Sequence, residues 1–191
     1  MPVVCTKRTM LVLITLSLMW GCSSTSPQVT RHEAEGNLSH AQPLTCTRVA
    51  GLKNSNNPVD MFAGAADCLQ QDNYQDAAGL VYAAMAYGYY DTQRVADKTA
   101  HQAISILRLN TLGALSEEQL ATFQSALQGV NEEQLCTALR TLGRPDYYPR
   151  YMIQHGMGAF FGQSKEGRLN ADFNADIAWQ NTLSTIANCT L

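Results

Sequence analysis

The chain has 191 residues, 46% of them apolar and only 15% charged, with a formal net charge of −3. That length and apolar content support one buried core and exclude a disordered chain. With no basic excess and no block of like charge, a nucleic-acid partner is excluded, and a mildly acidic body is not drawn to anionic lipid by its own field.

Residues 1–21 divide into the parts of a secretory signal. Lys7 and Arg8 are cationic, and an apolar run follows from Met10 to Trp20. A run of about eleven residues is too short to span a bilayer, which takes about twenty, so a cleaved leader is expected. At its edge stands Leu18-Met19-Trp20-Gly21-Cys22, followed by Ser23-Ser24-Thr25-Ser26. This resembles the lipobox of bacterial lipoproteins, with Met19 where Leu is usual and Trp20 where a small residue is usual. The resemblance implies diacylglycerol (palmitate-bearing) attachment at Cys22, cleavage before it and acylation of the new amino group. Two or more acyl chains hold a protein on a membrane stably, where one holds it marginally. Ser23 after the cysteine resembles the pattern sent to the outer membrane. The expected partner at this end is therefore the membrane, with the following domain facing the periplasm.

Residues 22–43 are expected to form the lipidated N-terminus and a flexible tether, because Ser, Thr, Gln, His, Glu and Pro dominate without periodicity. Residues 44–191 are expected to form a single helical domain. Gly51 to Pro58 is a second loose stretch. Pro58 suits a first helical turn, and Met61, Ala65, Cys68 and Leu69 follow at helical spacing. Asp72-Asn73 breaks that helix. Tyr74 to Tyr89 is Ala-rich and apolar nearly all round, the pattern of a helix buried on more than one side. Asp91 is expected to open another helix, with Ala96, Ala100, Ala103, Ile104 and Leu107 on one face.

Two strong helix starts come next. Leu115-Ser116-Glu117-Glu118-Gln119-Leu120 and Val130-Asn131-Glu132-Glu133-Gln134-Leu135 repeat one pattern fifteen residues apart. Ser116 and Asn131 can accept from exposed backbone donors, Gln119 and Gln134 can reach back, and the glutamates suit the positive end of the helix. Their carboxylates belong to exposed first turns and not to an acid–base pair. Tyr147 to Phe161 is aromatic-rich and helical at first, until Gly156, Gly158 and Gly162 loosen it. Asn174 caps a last helix carrying Ile177, Leu183 and Ile186. No stretch alternates as a strand does. The expected fold is all-α: a compact bundle of about six helices.

Tyr74 to Gly88 resembles the second half of a Sel1-like or tetratricopeptide unit, in which small Ala residues let paired helices approach closely and Gly ends the helix. No second copy occurs at a 34–40-residue period, so one helical hairpin inside the bundle is expected, and not a solenoid.

Six cysteines are present. Cys5 leaves with the leader and Cys22 takes lipid, which leaves Cys46, Cys68, Cys136 and Cys189. In an oxidising compartment these read as two disulfides with three possible connectivities. A bridge from Cys46 to a helix would staple the loose lead-in to the core, and one through Cys189 would fix the C-terminal end. No CxxC or CxxH pair points to a metal, and no cofactor motif is present.

His155-Gly156-Met157-Gly158 has the look of an oxyanion loop, but the GxSxG elbow that such hydrolases need is missing. Ser164 and Lys165 are adjacent, which points their side chains apart. Tyr147, Tyr148, Arg150 and Tyr151 combine residue types enriched at binding hot spots, and they are also what a core with hydroxyls at its edge would use. The leading expectation is a non-enzymatic, protein-binding lipoprotein, in its sharpest form an immunity protein that blocks a toxic effector in the periplasm. An accessory lipoprotein of an envelope or secretion complex is the alternative. A small envelope hydrolase using His155 is the third.

Overall fold

A computed structural model describes residues 34–162 and 168–189. The leader, the lipobox and Cys22, and the Ser164-Lys165 pair, lie outside the described residues. Eight α-helices and no strand occur among the described residues: α1 (Pro58–Gln70), α2 (Tyr74–Arg94), α3 (Ala103–Leu112), α4 (Glu117–Gln128), α5 (Glu132–Leu142), α6 (Arg150–Ile153), α7 (Met157–Phe160) and α8 (Ala175–Ala187). Six have ten residues or more, and α6 and α7 are single turns. No helix among the described residues is long and apolar enough to cross a membrane.

The Ala-rich helix α2 is the axle. Ala77, Ala78, Ala83, Ala84 and Ala86 are fully buried, and α2 packs against α1, α4 and α8. Small side chains on several faces let three neighbours approach closely. At Gly88 α3 also comes close: a Cβ there would lie 2.3 Å from Cδ1 of Ile104, so α2 has no room for a side chain at that point. With α1 it makes the expected helical hairpin, turned through Asp72 at φ +55°. The helix starts follow the sequence. Ser116 and Gln119 form a reciprocal capping box, and Asn131 accepts from the Gln134 N–H.

Two expectations are corrected. Asp91 does not open a helix: α2 continues through it to Arg94, and a short 3₁₀ turn, Lys98–Gln102, precedes α3. The face formed by Ala100, Ala103, Ile104 and Leu107 is buried all the same. Nor does the tether reach Pro43. From Ala34 onward the lead-in is docked on the domain. Leu38 donates its N–H to the Tyr151 carbonyl. The Asp60 carboxylate accepts from the N–H groups of Ala41, Gln42 and Asn57 at 3.0 Å each and meets the His40 ring at 3.2 Å. Asp60 is fully buried at the third position of α1, in a reciprocal capping box with Asn57. The same carboxylate therefore starts α1 and binds the lead-in. The domain begins no later than Ala34.

Cys46 bonds Cys68 on α1, and Cys136 on α5 bonds Cys189, just beyond α8. The bridges lie where the loose lead-in and the C-terminal end need them. Their sequence separations are 22 and 53 residues. Chain entropy then assigns about 3 kcal/mol to the first and about 4 kcal/mol to the second. Removing each bridge as a Cys→Ser pair is expected to lower unfolding free energy in that order, read from the urea midpoint of each variant.

Candidate partner-binding surface

The irregular stretch between α5 and α7 is organised by one buried carboxylate. Asp91, fully buried on α2, accepts from the Arg94 Nε–H at 2.7 Å on one oxygen. On the other it accepts from the Tyr147 hydroxyl at 2.9 Å and the Tyr151 hydroxyl at 2.7 Å. Arg94 Nη2 also lies 2.7 Å from Asp91, but it is not aligned for a hydrogen bond, so Nε–H and charge hold the pair. The guanidinium carbon lies over the rings of Tyr90 and Tyr147, 5.2 and 5.0 Å from their centroids. Burial pushes the Asp91 carboxyl above the usual carboxylate range, against the pull of Arg94 and the two phenols. Burial also drives both phenols well above their ordinary value, with the Asp91 charge adding to it, so they stay protonated and donate.

This places the four aromatic and basic candidates. Tyr151 is buried and its hydroxyl is spent on Asp91, so it offers no surface to a partner. Tyr147 is partly buried and committed to the same carboxylate. Tyr148 is exposed, and Arg150 pairs with Glu35 of the lead-in at 3.2 Å. The structure therefore divides the group, with two in the scaffold and two outside.

The surface suited to a partner lies beside this scaffold and escaped the sequence. The segment from Arg48 to Asn54 forms one wall of a groove, and α5 forms the other. The main hollow is about 870 Å³, and an adjoining one of about 330 Å³ shares Val49, Ala50, Asn131, Gln134 and Ala138. Apolar Val49, Leu52 and Ala138 alternate with Lys53, Glu133 and Thr137, a mixture that suits a polypeptide segment better than an apolar ligand. Each wall has its own staple. Cys46–Cys68 secures the first, reinforced by the Cys46 N–H donating to Asp67 at 2.7 Å, and Cys136–Cys189 secures α5. The Asp146 N–H donates to the Asn54 carbonyl at 2.8 Å, tying the rim to the Tyr147 segment. Leu52 falls in the second loose stretch of the sequence and Val49 just before it; only the fold brings them opposite α5.

The glycine-rich loop is built differently from an oxyanion hole. The Met157 N–H donates to Thr99 Oγ1 and the Gly158 N–H to Asp97 Oδ2, each at 2.9 Å, so these donors are already engaged. His155 meets the Asn37 side chain at 2.9 Å, His101 meets the Val95 carbonyl, and His40 meets Asp60. Asp97 is partly buried, which raises its carboxyl, but the hydrogen bonds from Thr99 and from the Gly158 N–H outweigh this and hold it below the usual range.

Compared with known protein families, with curated proteins and with solved structures, the chain matches none.

Two outcomes follow from this geometry. Asp91→Ala leaves a buried guanidinium and two phenols without their acceptor and is expected to cost about 3–5 kcal/mol, whereas Asp91→Leu with Arg94→Met removes both charges and recovers part of that loss. Urea denaturation of the single and double variants measures the difference. For Asp97 the carboxyl is lower in the fold than in the unfolded chain. Its bond to Gly158 thus contributes fully above about pH 3.9 and is lost as pH falls through the lower folded value. The Gly158 amide proton is expected to titrate in that window by NMR, and Asp97→Asn to remove the titration.

Proposed function

We propose that the chain is an outer-membrane lipoprotein, anchored through Cys22, whose helical domain binds a protein partner in the periplasm. The partner is a toxic effector delivered into that compartment, which makes the chain its immunity protein. The observation that carries the reading is the groove along α5, with a separate disulfide behind each wall. Walls fixed before binding spare the partner the entropy of ordering them. Disulfides also belong to an oxidising compartment, which is where a lipobox leads. Anchorage suits the role, because a tethered blocker meets an arriving effector at a raised local concentration.

Two measurements test the reading in separate parts. Labelled palmitate is expected to enter the wild-type chain and not Cys22→Ser; label absent from both removes the anchor. Cells lacking the gene are expected to lose in mixed culture to a neighbour that delivers the effector. The wild-type chain restores them, and Thr137→Arg, which fills the groove from an exposed position on α5, does not. Equal survival of all strains removes the immunity role.

A further inference from the structure

Two short runs of the chain read asparagine, any residue but proline, then serine or threonine: Asn37-Leu38-Ser39 and Asn188-Cys189-Thr190. That spacing is the acceptor signal for joining a saccharide to an asparagine side chain. It marks an acceptor only where a surface loop of an exported chain presents it. The structure separates the two runs.

Asn37 lies in a turn that precedes every helix of the described residues. The Asn37 N–H donates to the Ala34 carbonyl at 2.9 Å, and the Ser39 hydroxyl donates to the Gly36 carbonyl at 2.8 Å. Gly36 holds φ +92°, a left-handed value that glycine adopts without steric cost, and a Cβ there would lie 2.6 Å from Arg150 Nε. Only half of the Asn37 amide is engaged. Its Oδ1 accepts from His155 Nδ1 at 2.9 Å, and its Nδ2 has no hydrogen-bond partner among the described residues. One side-chain nitrogen or oxygen among those residues is both buried and without a partner, and that is Arg94 Nη2. The Asn37 Nδ2 is therefore open to water.

Asn188 is held away from the same chemistry. Its Nδ2 donates to Glu132 on α5 at 3.4 Å, and the residue between it and Thr190 is Cys189, buried and bonded to Cys136. An enzyme that has to draw the acceptor run into a cleft finds this one pinned to α5. The bacterial form of the signal also carries a carboxylate two residues ahead of the asparagine, a handle for a cationic cleft. Glu35 stands there for Asn37, with its side chain almost wholly in solvent, whereas Ile186 stands there for Asn188.

We infer that Asn37 is a glycosylation site, loaded outside the cytoplasm by a transferase that uses a saccharide joined through pyrophosphate to a polyprenyl lipid. In that step Nδ2 attacks the anomeric carbon of the donor. A C–N bond forms and the C–O bond to pyrophosphate breaks. The lipid pyrophosphate leaves with the electron pair, one Nδ2 proton passes to a base of the enzyme, and nothing is oxidised or reduced. The linked amide keeps its carbonyl, so the bond from His155 survives and the lead-in stays docked. A bulky, hydrated saccharide there covers the turn at the start of the domain, where a protease would otherwise find exposed chain. The inference rests on the export proposed above and not on the groove or its partner.

The test is a peptide map of the wild-type chain isolated from the cells that make it. After reduction, trypsin releases Asn37 on the peptide from His32 to Arg48 and Asn188 on the peptide that follows Arg168. Electron-transfer fragmentation then places any added saccharide mass. A saccharide is expected on Asn37 and none on Asn188. Asn37→Gln, which removes the nucleophile, and Ser39→Ala, which removes the hydroxyl two residues on, are each expected to return the first peptide to its bare mass. If neither variant folds, the wild-type map decides alone. A bare Asn37 on a chain acylated at Cys22 overturns the inference and leaves the anchor standing. A saccharide on Asn188 and not on Asn37 overturns it as well. A saccharide on Asn37 without acyl mass at Cys22 supports the inference and removes the anchor alone. A chain with its leader intact and Asn37 bare overturns export and the inference together.

Discussion

One carboxylate, Asp91, holds together the part of the molecule that the helices alone would leave loose. A charge removed from water has to be compensated by a partner and by hydrogen bonds. Asp91 obtains Arg94 from its own helix and two phenols from a segment more than fifty residues away. The two tyrosines sit four residues apart around α6, so satisfying the charge fixes the path of the chain from Pro145 to Gly156. That path supplies Asp146 to the rim of the groove and His155 to the Asn37 amide. Both sites thus inherit their positions from a bond neither of them makes.

The same device recurs at the other end. Asp60 is buried beneath the lead-in and gathers three backbone donors and a histidine ring. In both places an α-helix, rigid through its packing, presents a desolvated acceptor, and an irregular strip of chain supplies the donors. The Cys46–Cys68 bridge acts on the first of these strips, the lead-in. This division suits a small protein that has to present fixed surfaces from loops: helices α1, α2 and α8 provide the mass, and buried acceptors and sulfur bridges place the rest.

The helices were legible because their signals are local. Proline at the first turn, Ser116 and Asn131 as caps and the Ala-rich period of α2 each act within a few residues. The pairing of four cysteines into two bridges was legible from their even count, and only the connectivity needed the fold. Asp91 was misread because Asp followed by polar residues is a helix-start pattern; that α2 runs on through it depends on Tyr147 and Tyr151, which no local window contains. The Asn57–Asp60 cap was readable in principle from its spacing. That Asp60 would also bind residues 40–42 was not, because a polar, proline-bearing stretch looks the same whether it is docked or loose. The groove was invisible for a related reason: its walls are polar helix face and loop, distinguished only by standing opposite one another.

The fastening of the lead-in has a mechanical consequence. A load on the N-terminal side meets its attachments in series: the Arg150 ion pair, the His155 and Tyr151 contacts, the donors on Asp60, and last the bond between Cys46 and Cys68. The first groups are individually weak and can let go in turn, and the last is covalent. Twelve residue steps lie between Ala34 and Cys46, so peeling releases at most about 40 Å of slack before the sulfur bridge arrests it. The strip therefore works as an extensible leash whose stop is welded to α1, and the hairpin core remains unstrained until the slack is used.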